Sequence, residues 1–165
     1  MRKLTDGITK VLSFVLIALM ALIVIDITWQ VFTRFVLRAP SGFTEELAGF
    51  LLIWIGLLGA SYTYYKKAHL GIDTFVAKCT GRNRQVAELT VAGVVFLFAF
   101  FIMVLGGVRL LDITFTLRQI SPAMKIPMGY VYSVLPISGL LFMYYSVATM
   151  VDTVTGRGTP EPSSD

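Results

Sequence analysis

Apolar residues run through this chain in four long blocks, and polar residues gather between them. The first block covers residues 11–36, is interrupted at Asp26, and thins through Thr28, Gln30 and Thr33. The second covers 47–65, nineteen residues without a charge. As helix that run is about 28 Å long, close to the roughly 30 Å hydrocarbon core of a bilayer. A third block extends over about 85–111, with an uncharged centre at 91–105, and a fourth over about 129–154. The pattern predicts an all-α integral membrane protein, with four transmembrane helices at those positions forming one domain over residues 1–154. The tail at 155–165 carries two prolines and two serines and is predicted to be disordered.

The breaks between blocks carry their own signals. Pro40 and Gly42 mark a turn, and Thr44 is the predicted N-cap of the second helix. Asp73 to Gly81 reads as a short amphipathic helix lying at the lipid surface. Gly106 and Gly107 loosen the third helix before Arg109 and Asp112, which are spaced to pair on one face. Pro136 should kink the fourth. The first block reads as an uncleaved spanning helix, because it runs on past Asp26 and lacks small-residue cleavage spacing.

Composition reinforces the membrane reading. The chain is 56% hydrophobic and 15% charged, against about 45–50% and 25% in soluble domains. A net charge of +4 could suggest nucleic acid, but the basic residues flank apolar runs without interleaved aromatics, which suits lipid head groups and not nucleic acid. Placing both termini in the cytoplasm puts nine Lys and Arg inside and five outside, the favoured sense. Cys79 is the only cysteine and His69 the only histidine, so neither an internal disulfide nor bis-histidine haem ligation can come from this chain. No Walker sequence, glycine-rich phosphate loop or nucleophile elbow is present, and no positive sign of enzymatic chemistry.

Few residues stand out as candidate sites. Asp26 is an intramembrane acid, costly unless partnered. It reads either as an ion or proton ligand or, preferably, as a packing residue bonded to a neighbouring helix where the first helix turns polar. Glu45 and Glu46 suit the positive end of the second helix dipole, and could also meet Arg34, Arg38 or a partner subunit. Gly49, Gly56 and Ala60 share a face on which small residues would let a second backbone approach. Trp54, in mid-helix, reads as a packing residue.

An ordered set of motifs runs along the chain. Gln30-Val-Phe-Thr-Arg34-Phe35 ends the first helix, and Phe43-Thr-Glu-Glu-Leu47 opens the second. Trp54 and Gly59-Ala60 lie within it, and Lys67-Ala-His69-Leu-Gly-Ile-Asp73 closes it. Ser121-Pro122, Ile126-Pro127 and Pro136 lead into the last helix. In this order the motifs resemble the small, DctQ-like membrane subunit of tripartite ATP-independent periplasmic (TRAP) transporters, the last set matching that family's approach to its final helix. The chain departs from many members at Cys79-Thr80-Gly81, where a Leu-Pro pair is common. The resemblance implies a bacterial inner-membrane subunit that pairs with a large transport subunit (the M subunit). Both would meet a soluble periplasmic substrate-binding protein, with transport driven by sodium. The large subunit would hold substrate and sodium, so no cofactor is expected in this chain. Arg34, Glu45, Glu46, Trp54, His69 and Asp73 match the family pattern and are expected in structural or interface roles. The family carries mainly carboxylates, including C4-dicarboxylates and sialic acid, and the general resemblance leans toward sialic acid.

The reading that follows is a non-catalytic scaffold for a mobile partner. The alternatives are a self-sufficient small oligomeric transporter or channel with Asp26 as its coupling residue, and a membrane enzyme or respiratory anchor. The single histidine and scattered acids count against the last.

Overall fold

The computed structural model describes residues 2–38, 41–66 and 82–155. Long uncharged stretches can satisfy their backbone groups in lipid only by helix formation, and the described residues form helices of the required length. Helix α1 is Arg2–Phe35 and α2 is Gly42–Tyr65. The third span starts as α3, Arg82–Phe98, widens into a π-helical segment at Ala99–Gly106, and finishes as α4, Gly107–Thr116. The fourth is divided at Ser133 into α5, Met128–Tyr132, and α6, Val134–Val154. Among the described residues, four stretches are long and apolar enough to cross a bilayer: Thr5–Phe35, Gly42–Tyr65, Gln85–Thr116 and Met128–Val154.

Several boundaries differ from the sequence expectation. α1 starts nine residues before Val11, because Thr5 and Thr9 turn inward and bond to tyrosines of α6. α2 starts at Gly42 with Ser41 at the N-cap position, so Thr44 lies within its first turn and bonds back to the Ser41 carbonyl. The third span continues to Thr116, five residues past Leu111. The surface helix expected at 73–81 and the tail beyond 155 lie outside the described residues.

α6 is the hub. α1 packs on α2, α2 packs on α6, and α6 also packs along α3 and the π segment. Leu12, Leu58, Val134 and Tyr145 form the buried core cluster, with Leu16, Trp54 and Leu141 among the residues packed on it. The outward faces are apolar: Phe14 is 72% exposed, Leu52 65% and Phe101 58%. In water such a surface would drive aggregation; in a bilayer it is the solvated surface.

Pro136 divides the fourth span as expected, since its ring lacks an N–H and collides with the carbonyl four residues back. The break and the π segment are adjacent. A side chain at Gly107 would sit 2.9 Å from Pro136, and one at Gly139 would sit 2.8 Å from Met103. These glycines allow the two irregular helices to approach to backbone contact.

Candidate functional site

The most organised polar structure lies where the α1–α2 turn meets the loop between the third and fourth spans. α4 ends in a Schellman motif: Arg118 N donates to Phe115 O at 3.1 Å, and Gln119 N to Thr114 O at 3.1 Å. The chain then folds into a narrow hairpin. Ser121 N donates to Ile126 O at 2.9 Å and Met128 N to Gln119 O at 2.9 Å, with Ile120 opposite Pro127.

Glu46 reaches across from the first turns of α2 and holds the tip of this hairpin. Its Oε2 accepts bonds from the Ser121 hydroxyl, from Ala123 N at 3.2 Å and from Met124 N at 3.0 Å. Ser121 is itself almost fully buried. One carboxylate thus ties together segments 75 residues apart, and charge-assisted bonds to backbone N–H groups are among the stronger ones available. The expected contact of the glutamate pair with Arg34 or Arg38 does not form. Glu46 is committed to the hairpin, and Glu45 is exposed. Arg34 lies instead 6.0 Å from the ring centroid of Phe35. Arg109 and Asp112 are both exposed and make no ion pair among the described residues.

Among the described residues, three other than glycine adopt left-handed backbone: Arg38 at φ 50°, Arg118 at φ 47° and Lys125 at φ 55°. The cost is on the order of 1 kcal/mol for each, which glycine would avoid. Arg118 occupies the position of the Schellman motif where glycine is usual. All three are basic, exposed, and located at the Glu46 end of the molecule.

Trp54 is half-buried, and its Nε1 donates to Val131 O at 3.2 Å, beside the Pro136 break. It packs on the core cluster and joins α2 to the divided fourth span. Asp26 is buried, 6% exposed, and its Oδ2 has no hydrogen-bond partner among the described residues. The expected bond from a neighbouring helix is therefore absent at that oxygen. Thr28 and Thr33 bond to carbonyls of their own helix instead. Gly49 and Gly56 face outward with open space around them, whereas Ala60 is half-buried. His69 and Asp73 lie outside the described residues.

Sequence reasoning missed Ser121 as the partner of Glu46, and it missed the opposite end as a polar seam. There Thr5 Oγ1 lies 3.1 Å from Tyr144 Oη, Thr9 Oγ1 lies 3.3 Å from Tyr145 Oη, and Ser146 donates to Ala92 O at 2.5 Å. Threonines spaced four apart before an apolar block, with tyrosines in the last span, are the signal that was available.

Asp26 is the only buried carboxylate or basic group among the described residues, and no cluster of three metal-ligating side chains exists among them. The arrangement is that of a helical multi-pass membrane protein whose polar groups fasten its own helices together. The family profile described as "Tripartite ATP-independent periplasmic transporters, DctQ component" matches residues 22–156, and the chain belongs to that family, the small membrane subunits of TRAP transporters. It is 23% identical over 154 residues to a putative TRAP transporter small permease protein of Haemophilus influenzae, covering 93% of this chain and 94% of that protein. It is 30% identical over 106 residues to the sialic acid TRAP transporter small permease protein SiaQ of Vibrio cholerae, covering 64% of this chain and 60% of that one. It also matches the isethionate TRAP transporter permease protein DctMQ of Oleidesulfovibrio alaskensis, at 28% identity over 74% of this chain and 20% of that longer protein. The chain is thus a multi-pass inner-membrane transporter subunit, not an enzyme, and it works with the large membrane subunit.

Proposed function

We propose that this chain is the fixed scaffold of a sodium-driven, binding-protein-dependent importer of a carboxylate-type anion, and that it holds the large subunit in the bilayer while that subunit moves. The observation that carries this is the scarcity of buried charge among the described residues. Intramembrane ionisable groups mark ion and substrate pathways, and Asp26 is the only one buried among the described residues. Glu46, Trp54 and the threonine–tyrosine seam all brace the chain internally. Sodium and substrate are read as ligands of the large subunit, and both termini as cytoplasmic.

The seat for the large subunit is read as the outer face of α2. Gly49 and Gly56 there are open, and Leu52 and Ile53 are exposed beside them. Open glycines on a lipid-facing helix leave room for a second helix to lie close. Relatives are named for sialic acid, C4-dicarboxylate and isethionate. Sialic acid remains the lean, supported only by this general likeness.

The test is reconstitution. Proteoliposomes holding both membrane subunits, given the soluble binding protein and a sodium gradient, should accumulate substrate, and vesicles with this chain alone should not. Uptake by this chain alone would overturn the scaffold reading. The unpartnered Oδ2 of Asp26 favours the second reading, a self-sufficient oligomer. Asp26→Asn should leave uptake by the pair intact; complete loss with normal assembly would support that second reading.

A further inference from the structure

The geometry points to a lipid site in this chain: the groove between α1, α2 and α6 seats one acyl chain of an anionic phospholipid, with Lys10 beside the head group. The groove encloses about 700 Å³. Gly7 and Val15 of α1 form one wall, Ile137 and Leu141 of α6 the other, and Trp54 and Leu58 of α2 the floor. α1 packs along α2 and is tied to α6 near its start, where Thr5 Oγ1 lies 3.1 Å from Tyr144 Oη and Thr9 Oγ1 lies 3.3 Å from Tyr145 Oη. The walls are therefore held apart and in place by this chain's own bonds.

Three observations select the occupant. The first is length. Gly7 to Val15 is about 12 Å of helix, close to the roughly 15 Å of one leaflet's hydrocarbon. Trp54 lies in mid-helix at the deep end, fixed there by its bond to Val131 O. A transmembrane helix, from a partner or a second copy, runs through both leaflets and is about 10–12 Å across, so it matches this slot less well than a single chain of methylenes. The second is the order of polarity. The lining is apolar as far as Gly7, where a Cβ would meet nothing within 4 Å, and the hydroxyls of Thr5 and Tyr144 follow. The third is charge. Lys10 is exposed one turn past Gly7, and Arg2 and Lys3 precede it in the sequence. Asp6 is the acid of this stretch, and its Oδ1 accepts from the Tyr65 hydroxyl at 3.5 Å. Three cations against one acid favour an anionic head group, and a lysine stem can lie along apolar surface while its ammonium reaches the phosphate. The slot thus presents, in sequence, the parts that a phospholipid requires: hydrocarbon for one leaflet, then hydroxyls, then positive charge.

The experiment uses the complex of both membrane subunits, delipidated in mild detergent and titrated with phosphatidylglycerol or phosphatidylcholine, with bound lipids counted by native mass spectrometry. Val15→Trp fills the slot and should bind one phosphatidylglycerol fewer per copy of this chain. Ile17→Trp adds the same bulk at an exposed position outside the lining and should bind as many as the wild type. Lys10→Gln alters one exposed side chain, so the fold is kept; it should weaken phosphatidylglycerol binding about fivefold and leave phosphatidylcholine binding unchanged. An undiminished lipid count in Val15→Trp would overturn the inference. So would equal affinity of the wild type for the two lipids, or an unaltered affinity in Lys10→Gln. Loss of the large subunit from Val15→Trp, with Ile17→Trp intact, would assign the groove to that subunit and overturn the lipid site too. None of these outcomes bears on whether this chain transports alone, so the scaffold reading is tested separately.

Discussion

Glycine does opposite work on the two sides of this molecule. Between the third and fourth spans its missing side chain lets two helices touch: a Cβ at Gly107 or Gly139 would fall within 3 Å of Pro136 or Met103. On the α1–α2 side, Gly7, Gly49 and Gly56 have nothing within 4 Å of a Cβ position. An apolar groove of about 700 Å³ also opens between α1, α2 and α6, lined by Val11, Leu12, Trp54 and Leu141 among others. One side is closed on itself and the other is left open. Close packing is what fixes a unique structure in lipid, where water supplies no drive between helices. The contrast therefore separates the residues that build the subunit from those that face outward.

The sharpest way to break this contrast is to fill the closed side. Gly139→Ala should destabilise the isolated chain by about 1–3 kcal/mol, because the obstruction includes the Met103 Cβ and backbone and cannot swing away. Thermal unfolding in detergent would measure it. Gly129→Ala should cost less, since the group it meets is the exposed ring of Phe115. Gly56→Leu on the open side should leave that unfolding curve unchanged and reduce co-purification of the large subunit severalfold. Equal losses of stability from Gly139→Ala and Gly56→Leu would erase the distinction.

Smaller effects sharpen it. Glu46→Ala should abolish protection of the Ala123 and Met124 amides in hydrogen exchange while α6 amides stay protected, because the carboxylate holds a loop and no core helix. Trp54→Phe removes one indole donor from Val131 O and should cost about 1 kcal/mol. Arg118→Gly should raise stability by up to about 1 kcal/mol, and a fall would show that the side chain is held by a contact that outweighs its backbone cost.

The spans were legible in the sequence because hydrocarbon demands about twenty apolar residues whatever the fold. Trp54 and Pro136 were legible as well: an indole in mid-span needs a partner, and proline breaks a helix wherever it falls. The Glu46 latch was half legible. Its place near the start of α2 is a local property, but its partner at Ser121 is a tertiary one, and Arg34 and Arg38 were nearer along the chain. The start of α1 was missed because Thr5 and Thr9 look like solvent-facing residues until Tyr144 and Tyr145 come to meet them. The outward direction of Gly49 and Gly56 could not be read, since small residues at that spacing serve an inner or an outer contact equally well.

The widened stretch at Ala99–Gly106 has a consequence for the third span as a whole. Its looser winding adds residues without adding a full turn, so the stripe that faces α6 below it does not continue in register above it. Cysteine-accessibility measurements along this rod would trace a wave that slips in phase between Phe98 and Gly107. The two halves of one rod can therefore greet different neighbours.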